Sequence, residues 1–194
     1  MNKAERTRQF IIEKTAPIFN KKGYAGTSLS DMTDATGLTK GSIYGNFADK
    51  DEVAAAAFDH NIQLLLTATA AAMATQSTAR GKLLAMIEVY YHMQRVTVPE
   101  GGCPIMNTTV EVDDTNPRLK AKVAEVMQGW KKKVEQVIEA GKVDKEFGMA
   151  VNAEQTALTL IALIEGAILI RRATDKAGYY RQVLDTARKI VEGL

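Results

Sequence analysis

The sequence predicts an all-α protein of about nine helices, on three observations. Its 194 residues include only 4 Pro and 6% aromatics, and Ala, Leu, Ile, Lys and Glu, which suit helices better than strands, are abundant. Apolar residues recur at spacings of three and four along most of the chain. No stretch alternates apolar and polar as a half-buried strand would. Hydrophobic residues make up 46% and charged residues 25%, which is ordinary for a soluble globular chain and far from a disordered one. Cys103, the single cysteine, excludes an internal disulfide and with it a stapled secreted scaffold. The first residues lack the apolar core of a signal peptide, so the cytoplasm is the expected location. The most apolar run, 157–170, contains Glu165 and is expected to be too short to cross a bilayer.

The helices follow in order. Residues 3–22 read as the first, with Ile12, Ala16 and Phe19 on one face and Gly23 where a C-cap belongs. Pro17 lies inside it and predicts a kink there. Ser28-Leu29-Ser30-Asp31 has capping-box spacing and opens a short helix with Leu29, Met32 and Ala35 on its apolar face, ended by Gly37. Leu38 plugs the turn, Thr39 caps a second short helix from Lys40 to about Gly45, and Ile43 faces inward. Two short helices joined by a tight glycine turn and packed on a first helix make a helix-turn-helix. Asp49 to Glu52 starts a long helix through Phe58, Ile62, Leu65 and Leu66. Another is expected from about Gly81 to Val96, a short one over 105–112, and one begun by Asn116-Pro117 and closed by Gly141. Asn152 caps an apolar helix ending near Arg172, and a last helix carries Tyr180, Val183, Leu184, Ala187 and Ile190.

The charge is unevenly divided along the chain. The formal net charge is +2, of which residues 1–46 carry +3 and the remainder −1. A small basic head on a near-neutral body suits a nucleic-acid reader joined to something else. In a helix-turn-helix the second helix enters the major groove with its N-terminal residues at base edges. Those residues here are Thr39, Lys40, Gly41 and Ser42. Lys40 can donate to guanine O6 and N7, and Gly41 lets the backbone come close. Tyr44 can reach a phosphate with its hydroxyl. Thr27, Ser28 and Lys50, at two helix openings, offer hydroxyls, amides and an ammonium to phosphates.

The run Thr39-Lys40-Gly41-Ser42-Ile43-Tyr44-Gly45-Asn46-Phe47, followed by Lys50, resembles the reader of the TetR family of bacterial transcriptional regulators. Phe19, Gly23-Tyr24 and Thr27-Ser28 upstream fit the same pattern. Asn46 departs from it, standing where the family often has His or Tyr, though an amide can still bond a phosphate. Gly45 departs as well, at a position the family often gives to a base-reading side chain, so direct readout is expected to lean on Lys40, Thr39 and DNA shape. The resemblance implies a helix-turn-helix DNA-binding domain over 1–48 and a helical ligand-binding and dimerisation domain over 49–194. It implies a homodimer through the last two helices, on a palindromic double-stranded operator, released by a small-molecule inducer whose identity the sequence does not give.

Candidate pocket residues are Tyr90, Met93, Met106, Val110, Trp130, Ile161 and Glu165, a mixture of thioethers, aromatics and an acid suited to an adaptable cavity. Each also reads as plain core, and Glu165 could equally face a partner's Arg171 or Arg172. The apolar helix near 153–172 fits either a dimer interface, with Gly166 at the approach, or the buried centre of a monomer. Cys103, in Gly101-Gly102-Cys103-Pro104 ahead of a helix start, reads as a redox or electrophile sensor or as an inert cysteine. His60 and His92 are the only histidines and show no metal spacing, and there is no phosphate loop or dinucleotide fingerprint. No enzyme activity, metal, cofactor or membrane partner is therefore expected. Two rivals to a repressor stay open: an activator of the same fold, and a helical small-molecule-binding protein that ignores DNA.

Overall fold

The computed structural model describes residues 2–92 and 99–194. Among them are nine α-helices and no strand. They run α1 Lys3–Gly26, α2 Leu29–Thr36, α3 Lys40–Tyr44, α4 Lys50–Ala74, α5 Ala79–Tyr91, α6 Pro104–Val112, α7 Pro117–Val143, α8 Ala153–Thr174 and α9 Ala177–Glu192. Met93 and the expected end of the fifth helix at Val96 lie outside the described residues. The chain forms two compact units, residues 1–65 with 99–124, and residues 66–98 with 125–194. The unit that holds the reader thus contains the start of α4, α6 and the start of α7 as well as residues 1–48.

In the first unit, Asn2 caps α1 in a reciprocal box with Glu5. The helix passes through Pro17 without interruption. Its one non-helical residue is Gly23, at φ 77° and ψ 174°, so the break falls six residues later than the proline suggests. Pro17 keeps a φ that a helix accepts, whereas Gly23 adopts a left-handed φ that a side chain would strain. Ser28 and Asp31 form the expected capping box on α2, and Gly37 closes it in the left-handed conformation. Thr39 caps α3 by accepting the Ser42 amide at 3.2 Å. Beneath these helices lies one core of Ile11, Ala16, Phe19, Met32, Ile43 and Phe47, joined by Val53 and Ala57 of α4 and by Val112 and Leu119. Leu38 packs against its edge. Burial of such side chains contributes roughly 1.5–3 kcal/mol each, which is what holds so short a helix as α3 in place.

In the second unit, Tyr90 of α5 stacks on Trp130 of α7, with ring centroids 5.7 Å apart. Asn152 caps α8 through the Gln155 amide at 3.0 Å. α7 continues two residues past Gly141, whose carbonyl accepts the Glu146 amide at 2.8 Å. α8 packs along α9, and its Leu160, Ile164 and Ile168 are buried. α8 has 22 residues and an 18-residue stretch of mean hydropathy 1.6, long and apolar enough by length and composition alone to cross a membrane, as the core helix of a soluble protein can also be. Its Leu158 and Leu169 are 47% and 56% exposed.

Candidate nucleic-acid interface

The reader is built from local signals. Capping at Ser28 and Thr39 fixes where α2 and α3 begin, Gly37 sets the turn between them, and Met32 and Ile43, both fully buried, pin the pair to the core. The opposite face of α3 is left outward: Thr39, Lys40, Gly41 and Gly45 are exposed, and Ser42 and Tyr44 are half-buried. The Lys40 side chain makes no hydrogen bond or ion pair among the described residues and is exposed. A Cβ at Gly41 would find its nearest neighbour, Thr39 Oγ1, at 3.9 Å. The space above Gly41 is therefore open to an approaching backbone.

Other residues named from the sequence also make contacts within the protein. Thr27 is fully buried and its hydroxyl donates to the Gly23 carbonyl at 2.7 Å. That hydroxyl therefore closes the end of α1, which corrects its expected place at a phosphate. The Ser28 hydroxyl donates to Asp31 at 2.9 Å and accepts the Asp31 amide. The Asn46 amide nitrogen donates to the Ser42 carbonyl at 2.9 Å, tying off the end of α3. Lys50 places its ammonium 4.5 Å from the centre of the Tyr24 ring.

Arg8, which no local motif singles out, holds the far side of the reader. Its guanidinium lies over the Phe47 ring at 4.0 Å, donates to the Asn46 carbonyl at 2.5 Å and pairs with Glu52 at 2.7 Å. The Ala48 amide, and after it Arg8, hold the Glu52 carboxyl below its ordinary range. On α2 the Lys22 ammonium, with the Ser28 amide and hydroxyl, holds the Asp31 carboxyl down at about 2. The Tyr24 hydroxyl donates to Asp51, and that carboxylate pushes the phenol up to about 12.

The candidate pocket residues divide between the two units. Tyr90, Trp130 and Ile161 are buried and Glu165 half-buried in the second unit. Met106 and Val110 belong to α6 in the first. Val110 is 75% exposed, which corrects its place in an enclosed apolar pocket: Ile105 and Val112 take the inward face of α6. The second unit also holds an open groove of about 510 Å³, walled by Ala68, Ala72, Leu84, Ala85 and Val89, none of them anticipated. Cys103 is fully buried at the N-cap of α6. No group of three His, Cys, Asp or Glu suited to a metal occurs among the described residues.

Comparison with known proteins agrees with this arrangement. Residues 11–57 match the family model described as bacterial regulatory proteins, tetR family, and residues 79–187 match that of the tetracyclin repressor-like C-terminal domain. A TetR-family transcriptional regulator from Cytophaga hutchinsonii is 45% identical with a TM-score of 0.94, over 100% of this chain and 97% of that one. A TetR regulator from Chloroflexus aurantiacus is 33% identical with a TM-score of 0.93, over 99% and 97%. The HTH-type transcriptional repressor DhaR of a Mycobacterium species is 25% identical over 84% of this chain and 80% of its own length.

Proposed function

The chain belongs to the TetR family of bacterial transcriptional regulators, and on that premise we propose that it is a cytoplasmic repressor released from a palindromic operator by a small molecule. It is a DNA-binding regulator and not an enzyme. The observation that carries the DNA-reading assignment is the outward face of α3: Thr39, Lys40, Gly41 and Ser42 present an unpaired ammonium, two hydroxyls and open backbone over a fully buried Ile43. Thr39, Lys40 and Ser42 then face base edges, while the Tyr44 hydroxyl and the Lys50 ammonium serve the phosphates.

Two copies acting together would place their α3 helices about 34 Å apart, one turn of the duplex. The outward apolar residues Leu158 and Leu169 of α8 and Tyr179 of α9 support pairing through these helices, since a solvated helix gains nothing from them. Tyr90, Trp130, Ile161 and Glu165 would face the inducer. A ligand bound more tightly by the DNA-incompetent form needs a coupling of only about 1–3 kcal/mol for a 5- to 150-fold loss of operator affinity.

Selection of bound fragments from random duplex DNA tests this reading directly. An inverted repeat with half-sites about one turn apart is expected. Failure to bind any duplex at low salt would sink the assignment and leave a helical ligand-binding protein. Transcription from the selected site, with and without the protein, separates a repressor from an activator.

A further inference from the structure

The break in α1 at Gly23 leaves two backbone donors turned away from the helix, the amides of Tyr24 and Ala25. Both donate to one carboxylate, that of Glu111 on α6, at 2.5 and 2.6 Å. Gly23 makes room for it: a Cβ there would lie 2.8 Å from the Glu111 carboxyl carbon. The amides that begin a helical turn carry partial positive charge, so an anion is the partner they favour most. The residues that follow this corner are Thr27, Ser28 and then α2. Thr27 bonds back to the Gly23 carbonyl. The direction in which α2 and α3 leave α1 is therefore set at the point where Glu111 is seated.

The other end of α6 is anchored to the same helix. Asn20 donates to the carbonyls of Glu100 and Gly102 at 2.6 and 3.0 Å, and Asn107 donates to the Asn20 carbonyl at 2.9 Å. Gly101, at φ +99°, brings this turn so close that a Cβ would stand 3.0 Å from the Asn20 carbonyl oxygen. α6 thus lies along α1 with one end fixed by paired amides and the other by a carboxylate. Of the two anchors, only the carboxylate grips the segment that leads into the reader.

We propose that Glu111 is a positioning residue for DNA reading: its carboxylate, seated on the Tyr24 and Ala25 amides, fixes the corner from which α2 and α3 depart. A glutamine could accept at one oxygen but would turn an NH2 toward the second amide, and an aspartate is one methylene too short. Without the carboxylate, the reading-competent placement of α3 becomes one of several, and affinity falls by the fraction of time it is occupied. The proposal rests on the operator-binding reading above.

The test uses the full-length protein and a duplex selected from random DNA. Glu111→Gln and Glu111→Ala are expected to weaken binding about ten-fold or more, with the preferred half-site unchanged. Sodium formate should restore Glu111→Ala beyond anything sodium chloride does at equal ionic strength, because formate can occupy the vacated amides; loss of packing alone would show no such difference. Hydrogen exchange on the unaltered protein should show protected amides at Tyr24 and Ala25, a measurement that needs no variant to fold. Wild-type affinity in Glu111→Gln, equal effects of formate and chloride, or open-chain exchange at Tyr24 and Ala25 would each overturn the proposal. If the unaltered protein binds no duplex, the operator reading falls and this proposal with it; if it binds and these results fail, only Glu111's role is lost.

Discussion

The Arg8 guanidinium stands 4.0 Å from the centre of the Phe47 ring, so a residue in the second turn of α1 clamps the segment just after α3. The same group also grips the Asn46 carbonyl and Glu52, joining three parts of the reader through one side chain. Arg8→Ala is expected to lower stability by about 1–2 kcal/mol, from the lost cation–π contact and the orphaned carbonyl. Urea unfolding measures it. Arg8→Lys should recover only part of the loss, because a single ammonium cannot reach both acceptors while covering the ring.

Lys40 and Lys50 should fail in different ways. Lys40→Ala is expected to cost about 1–3 kcal/mol on the preferred site and to flatten the ranking among variant sites. Lys50→Ala should weaken all sequences alike and reduce the slope of log affinity against log salt by about 1. Binding titrations at several salt concentrations, on the preferred site and on scrambled DNA, separate the two. Identical behaviour would cancel the division of roles.

Acid should find Asp31. Its folded pKa is depressed from 3.8 to about 2 by Lys22 and by the Ser28 amide and hydroxyl. The stability it contributes is therefore complete above pH 3.8 and is lost as pH falls through about 2. Asp31→Asn should be less stable than the parent at neutral pH, and the gap should close across that window. Thermal melts from pH 7 down to pH 2 follow it; a gap that stays constant to pH 2 would refute the linkage.

Cys103 should react slowly with a bulky maleimide, since the thiol is fully buried at the head of α6 and modification must wait for local opening. Complete modification is expected to release DNA if this cysteine senses oxidants or electrophiles. Mass spectrometry and operator binding on the same sample decide it. Fully modified protein with unchanged affinity would leave Cys103 an inert core residue.

The reader was legible because its signals are local. Ser28 with Asp31, Thr39 with Ser42 and the Gly37 turn lie within a few residues of one another, and each acts on backbone amides next to it. The clamps around the reader act at long range and carry no spacing rule. Arg8 meets Asn46 across 38 residues, and Glu111 meets Tyr24 across 87. Thr27 reads as exposed because hydroxyls at helix openings usually are; the Gly23 break turns it inward. The helix breaks at Gly23 and not at Pro17, since a proline changes the local bonding without changing a helical φ. An apolar type says nothing of which side of a short helix it takes, and Val110 takes the outer one. Where the sequence is cut at 48, the core continues through Val53 and Ala57 of α4, because apolar faces, not motif ends, decide what packs together.

The brevity of α3 limits how much information the protein can extract from a genome. Five residues at about 1.5 Å each span two or three base steps of about 3.4 Å. A pair of such turns interrogates roughly five positions, enough to distinguish about a thousand words, whereas a chromosome offers on the order of a million or more. On the proposed reading of an inverted repeat, most of the addressing comes from the stiffness of the intervening duplex and the distance between half-sites, so lengthening a target by a single base pair between its halves should matter more than many changes of letter within them.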